Sequence, residues 1–159
     1  MRGKKCKSRF GKIIVIAAVL MMGMGLQTAH AGNLFMSAVY ATYSGVNQGL
    51  AEAYTSLALV NNDPSYLYDA AVAMDEAWYY SDEAWYYAGL VGGDWAYNAW
   101  LYADEAYYYF EDAAYYAYLG YYYIDPFYAS LSLVYGGLGA LNIAYAEAYA
   151  GIGCYGGYY

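Results

Sequence analysis

The sequence predicts an all-α protein of four helix-plus-turn units, and three features carry that prediction. The first is a hexapeptide, Asp-Glu-Ala-Trp-Tyr-Tyr, at Asp75–Tyr80 and again at Asp82–Tyr87, with a variant at Asp104–Tyr109. Residues seven apart sit nearly two helical turns apart, so each copy presents its acids, alanine and rings in one direction. A strand would send alternate copies to opposite faces. The second is the spacing of helix starts: Asp63-Pro64, Gly92-Gly93-Asp94 and Asp125-Pro126 place caps at 63, 94 and 125, 31 apart each time (94 − 63 = 125 − 94 = 31). An Asp cap followed by Pro in the first turn starts a helix, and glycine ends one. The third is that the same distance counted back from 63 reaches Gly32. The units, each about 31 residues with an aromatic at the fourth position (Phe35, Tyr66, Tyr97, Tyr128), are expected to form a bundle or a helical-hairpin array.

Gly32 is also where a leader is expected to end. All six basic residues lie between Arg2 and Lys12, an apolar run follows from Ile13 to Leu26, and Ala29-His30-Ala31 has the small residues of a signal-peptidase site. Fourteen apolar residues (26 − 13 + 1 = 14) suit a leader and fall short of the roughly 20 that span a bilayer. Residues 1–31 therefore read as a secretory signal peptide cut between Ala31 and Gly32. Residues 32–150 read as the tyrosine-rich helical domain, and 151–159 as a flexible Gly/Tyr tail outside the last helix.

Removing the leader changes the chemistry of the chain. The remaining 159 − 31 = 128 residues keep all 27 tyrosines and all 14 carboxylic acids but no Lys, Arg or His. Nothing is left to neutralise phosphates, so nucleic acid is not an expected partner. No salt bridge between side chains can form, so self-association would rest on aromatic and apolar packing, with the carboxylates solvated or bridged by cations. Cys154, the one cysteine left, is expected to be free or to join two chains by an intermolecular disulfide. A membrane is not the expected partner once the leader is cut, although 21 uncharged residues lie between Asp125 and Glu147 (147 − 125 − 1 = 21).

Within the units, small residues recur every four positions: Ala41, Gly45, Gly49 and Ala53 in the first, Gly136, Ala140, Ala144 and Ala148 in the last. Rows spaced by four form ridges that let another helix approach, and the expectation is that these rows pack. At 100° per residue, Asp75, Glu76, Asp82 and Glu83 fall on one side of the second helix with Tyr79 and Tyr86. Leu67, Ala70, Met74, Trp78, Trp85 and Ala88 fall opposite, giving a buried stripe that contains both tryptophans. In the third helix Asp104, Glu105, Glu111 and Asp112 repeat the acidic face. Ala99, Ala106 and Ala113 recur every seven residues beside Ala96, Ala103, Phe110, Ala114 and Ala117.

No catalytic set is legible: there is no histidine beyond His30, no nucleotide-binding loop and no metal motif, so no enzyme activity is expected. The eight acids of the second and third helices (Asp75, Glu76, Asp82, Glu83, Asp104, Glu105, Glu111, Asp112) could offer oxygen ligands for weak Ca²⁺ sites shared between molecules. No other cofactor is expected. A four-helix core of this size cannot enclose 27 tyrosines and four tryptophans. The surplus, drawn from Trp78, Tyr79, Tyr80, Trp85, Tyr86, Tyr87, Tyr107, Tyr108, Tyr109, Tyr115 and Tyr116, is expected to form a self-association surface. The sequence thus points to a secreted, self-assembling structural protein of an extracellular filament, sheath or surface layer. An aromatic charge-transfer filament, a cation-, mineral- or glycan-binding surface protein and a small membrane protein are the alternatives.

Overall fold

A computed structural model of the chain describes residues 29–155. The leader therefore lies outside the described residues except for Ala29–Ala31, which are already helical. The four helices are α1 (Ala29–Asn61), α2 (Ser65–Gly89), α3 (Asp94–Tyr123) and α4 (Pro126–Tyr155), with no strand among the described residues. Each helix packs on its chain neighbours and α4 closes back on α1, while the diagonal pairs barely meet. This is an up-down-up-down four-helix bundle. The expected tail needs correction, since Gly151–Tyr155 belong to α4, while residues 156–159 lie outside the described residues.

The helices meet along seams that alternate steps of three and four residues. In α1 the seam runs Leu34, Ser37, Ala41, Ser44, Gln48, Ala51, Thr55, Ala58, and every member is buried. Leu67, Ala70, Met74, Ala77, Ser81, Ala84 and Ala88 form that of α2. Ala96, Ala99, Ala103, Ala106, Phe110, Ala113, Ala117 and Gly120 form that of α3. In α4 it is Ala129, Ser132, Gly136, Gly139, Ile143, Ala146 and Ala150. A stripe at 3.5 residues per turn keeps facing the bundle axis when the helices wrap left-handedly. Most seam residues are Ala, Ser or Gly, small side chains of the kind that let helix axes pack at the short end of the usual range of about 8–10 Å. Phe110 and Met74 are the largest fully buried side chains. Room for them comes from glycine: a Cβ at 139 would meet Phe110 Cδ1 at 2.6 Å, and one at 136 would meet Met74 Cε at 2.9 Å. Buried hydroxyls tie neighbours together, with Ser37 donating to the Ala84 carbonyl (2.8 Å), Ser44 to that of Ala77 (2.7 Å) and Ser132 to that of Ala113 (2.8 Å).

These seams correct two expectations. The small rows spaced by four do not stay in the interface. Each step of four advances about 40° beyond a full turn, so Ala41 and Gly136 are buried but Gly49, Ala53, Ala144 and Ala148 are exposed. The tryptophans, too, lie beside the α2 seam rather than in it, half-buried toward α3.

The four expected units also pair into two like hairpins. Seam positions recur at 62: Leu34 with Ala96 (96 − 34 = 62), Gln48 with Phe110, Leu67 with Ala129, Ala88 with Ala150. The turns recur at the same distance. Asn62 and Ile124 both take positive φ (51° and 54°), and the next amides, of Asp63 and Asp125, donate back to Ala58 and Gly120 (3.1 and 3.3 Å). This is the helix-ending geometry in which one left-handed residue turns the chain out of the last turn. Asp63 and Asp125 then each accept the amide two residues on, from Ser65 (3.0 Å) and Phe127 (2.9 Å). The expected Asp94 cap differs: Gly93, at φ 104°, precedes the helix, and Asp94 is an acid of its first turn. The connection after α2 is thus of another kind, and α1–α2 and α3–α4 are two like hairpins.

Candidate functional site

Aromatic rings fill three of the four grooves between neighbouring helices. Between α1 and α2, Tyr40 stacks on Tyr80 and Tyr87 (6.2 and 5.4 Å between centroids) and Tyr43 leans on Tyr80. Between α2 and α3, Trp78 meets Tyr107 at 5.2 Å and Trp85 meets Trp100 at 6.0 Å. The groove between α3 and α4 holds a column along its length. Trp95, Tyr102, Tyr109, Tyr116 and Tyr123 recur every seven residues on α3, and Tyr149, Tyr145, Tyr135 and Tyr128 of α4 interleave with them. Offset and edge contacts of this kind contribute about 0.5–1.5 kcal/mol each beyond area. The indole N–H groups of Trp78 and Trp85 are buried without an acceptor, an arrangement that costs about 1–3 kcal/mol per group and that ring packing offsets.

The structure divides the eleven aromatics expected to associate. Trp78, Tyr80, Trp85, Tyr87, Tyr107, Tyr109 and Tyr116 are half-buried in grooves of their own chain. Tyr79, Tyr86, Tyr108 and Tyr115 are the ones that point outward, each more than half exposed. They stand two residues past a seam position, which turns a helical side chain to the far side. The outer stripe of α2 thereby alternates acids with rings (Glu76, Tyr79, Glu83, Tyr86), and α3 does the same (Glu105, Tyr108, Asp112, Tyr115).

Of the eight acids, Asp75 is half-buried and accepts the Tyr118 hydroxyl across the α2–α3 groove at 2.8 Å. Burial first, and then that bond and the carboxylate's charge, push the Tyr118 phenol up to about 12. Glu83 accepts from Tyr79 at 3.3 Å, and its negative charge raises the Tyr79 phenol. Glu76, Asp82, Glu105, Glu111 and Asp112 are exposed and Asp104 is half-buried. Among the described residues no three acids, cysteines or histidines gather closely enough to hold a metal ion. Any cation on this face would be shared with another molecule.

Of the two expectations for Cys154, free or joined to another chain, it is free in this chain. It is buried, and in the uncut chain its thiol donates to the Ala31 carbonyl at 3.2 Å, a bond that the expected cleavage between Ala31 and Gly32 would remove. Burial pushes the thiol up to about 11. Neither position nor acidity favours a disulfide to another chain while the bundle is closed.

What sequence reasoning missed is the opposite side. On α1 the stripe two residues past the seam is Met36, Val39, Tyr43, Val46, Leu50, Ala53, Leu57 and Val60. On α4 it is Leu131, Val134, Leu138, Leu141, Tyr145, Ala148 and Ile152. Neither contains a charge, and most members are exposed. Only 28 % of the most apolar stretch of α4 is buried, so its apolarity faces outward; by length and composition this helix could cross a membrane. Two carboxylates lie within the groove between these stripes, Glu52 of α1 beside the Gln48 amide and Glu147 of α4 accepting from Thr42 of α1 across the groove at 3.0 Å. The missed signal was the seam itself, since adding two to each seam number exposes both stripes.

At the end of the bundle that carries both hairpin turns, a depression of about 60 Å³ is lined by Asn62, Pro64, Leu67, Ile124 and Asp125, among others. Small-molecule sites usually enclose about 300 Å³ or more. Comparison of the chain with protein-family models, with curated proteins and with solved structures returns no match in any of the three.

Proposed function

We propose that the protein is a secreted structural subunit that assembles with copies of itself into an extracellular filament, sheath or surface layer. The observation that carries this reading is the outward row of Tyr79, Tyr86, Tyr108 and Tyr115, each more than half exposed on the acidic side of the bundle. Large exposed aromatic patches favour association. The described residues from Ala31 on have no basic side chain, so carboxylates between the rings would meet water or shared cations such as Ca²⁺ rather than lysine or arginine. Two hairpins in series present surface on several sides, which suits open-ended contacts. Electron microscopy of the purified protein across a series of salt, pH and Ca²⁺ is the test. Ordered polymers are expected, and they should be lost in a variant with all four tyrosines changed to Ser; monodisperse particles under every condition would remove the reading.

A second reading draws on one observation, the ring column of the α3–α4 groove, and makes the assembled material a path for charge hopping between aromatics. Conductance that persists after Tyr102, Tyr109, Tyr116 and Tyr135 are changed to Leu would count against it.

A further inference from the structure

We propose that the face formed by α1 and α4 is the contact between two copies of this chain, packed face to face so that the acidic helices α2 and α3 lie on the outside of the pair. The proposal rests on the reading of the chain as self-associating but assigns the first contact to a different face from the tyrosine rows.

The two hairpins make the α1–α4 groove the counterpart of the α2–α3 groove, position for position. Where the α2–α3 groove has Trp78, Trp100 and Tyr107, the matching positions 62 residues away hold Ala140, Ala38 and Gly45. One groove is packed with rings; its counterpart is lined mostly by small residues, with Glu147 at the position that matches Trp85. Gly49 and Gly137 make the point directly. Both lie inside long helices, where glycine weakens the helix relative to alanine, yet a Cβ added at either would meet nothing within 4 Å. Packing inside the subunit does not account for them. A helix of a neighbouring molecule laid into the groove does, because a backbone without Cβ lets it approach closely.

On either side of this channel stand the aliphatic ridges, with Val46, Leu50 and Leu57 on α1 and Val134, Leu138 and Leu141 on α4, all exposed. Each ridge keeps the 3.5-residue period of the seam over its whole length, so it stays in line with the bundle axis as the helices wrap. Ridges beside a channel are self-complementary, as a two-fold contact requires. Helices of 30 residues are about 45 Å long, and two of them side by side are roughly 20 Å wide. The resulting face of about 900 Å² matches the approximately 800 Å² that each partner buries in a stable complex.

Charge selects the occupant. Of the acids within the helices, five lie on α2 and five on α3 (Asp69 to Glu83, Asp94 to Asp112), against Glu52 alone on α1 and Glu147 alone on α4. Two copies meeting through α1 and α4 keep the ten-acid sides as far apart as the assembly allows. Glu52 and Glu147 already hold Gln48 and Thr42 as donors in their own chain. A lipid surface would be expected to come with a Lys/Arg rim around the apolar face, and among the described residues this face has none.

The test is sedimentation velocity on protein purified after expression of the full chain, beside the Gly49→Leu/Gly137→Leu double variant. Because the added side chains enter open space, thermal melts followed by circular dichroism should show the variant at least as stable as the parent. The parent is expected to sediment as a dimer at about 100 µM, where a micromolar contact is filled, and the variant to associate at least ten-fold more weakly. A Tyr86→Ser/Tyr115→Ser variant should dimerise like the parent. A monomeric parent, or a double variant that dimerises unchanged, overturns the proposal. So does flotation of the parent as a monomer with phosphatidylcholine vesicles that the double variant fails to bind. Polymers seen by microscopy and unaffected by Gly49→Leu/Gly137→Leu would overturn this contact while leaving the structural function standing. Dimers that never polymerise would do the reverse.

Discussion

Phe110 fills the space that Gly139 leaves empty, and the two residues are best treated as one packing unit. The ring is fully buried, and the nearest atoms to a Cβ at 139 all belong to it. Gly139→Ala should therefore act as overpacking and cost about 1–3 kcal/mol of stability in urea unfolding. Combining it with Phe110→Leu should cost less than the two changes add up to, by at least about 0.5 kcal/mol. Strict additivity would show that the positions do not share space. Met74 and Gly136 form a second such unit between α2 and α4. A core this rich in alanine has few large side chains to specify its layers, so these two fits carry much of the registration between helices.

At the scale of the helix, the junction of α4 with α1 has a pH signature. The Cys154 thiol ordinarily ionises near 9.0 and is pushed up to about 11 in the fold. Between those values the unfolded chain releases this proton first, so the contribution is full below pH 9.0 and is lost as pH rises toward about 11. Urea melts from pH 8 to 11 should show stability falling with pH, and Cys154→Ala should flatten part of that fall; an unchanged slope would mean the thiol is open to solvent. Helix number and helix starts were legible in the sequence, because Asp63-Pro64 and Asp125-Pro126 have few other uses. The seams were not. With alanine on nearly every side of a helix, a row such as Ala41-Gly45-Gly49-Ala53 looks as good as Ala41-Ser44-Gln48-Ala51, and only packing separates them. The end of α4 was misjudged for a related reason. Gly151 and Gly153 weaken a free helix, but Leu34 and Trp95 press against Gly153, where a larger residue would not fit.

Across the whole molecule, the exposed aromatics were legible as a surplus, but the two unlike sides were not, because opposition between helix pairs is a property of the closed bundle. The acidic, tyrosine-bearing side had motifs that drew notice. The side made by α1 and α4 drew notice only for its rows of small residues, and its aliphatic stripes carry no charge or repeated motif.

The 62-residue repeat has a consequence for the ancestry and divisibility of the chain. Two halves that share seam register and turn geometry are what duplication of a single hairpin gene would leave, with the ancestral hairpin pairing as a homodimer. If so, the Gly92-Gly93 connection is a join rather than a structural requirement. Residues 1–92 and 93–159 expressed as separate chains should then find each other and refold into a single helical bundle that co-purifies; halves that remain apart and unfolded would show that the linkage is indispensable. Divergence since that duplication would have gone in opposite directions on the two sides, filling one groove with tryptophan and tyrosine and emptying its twin.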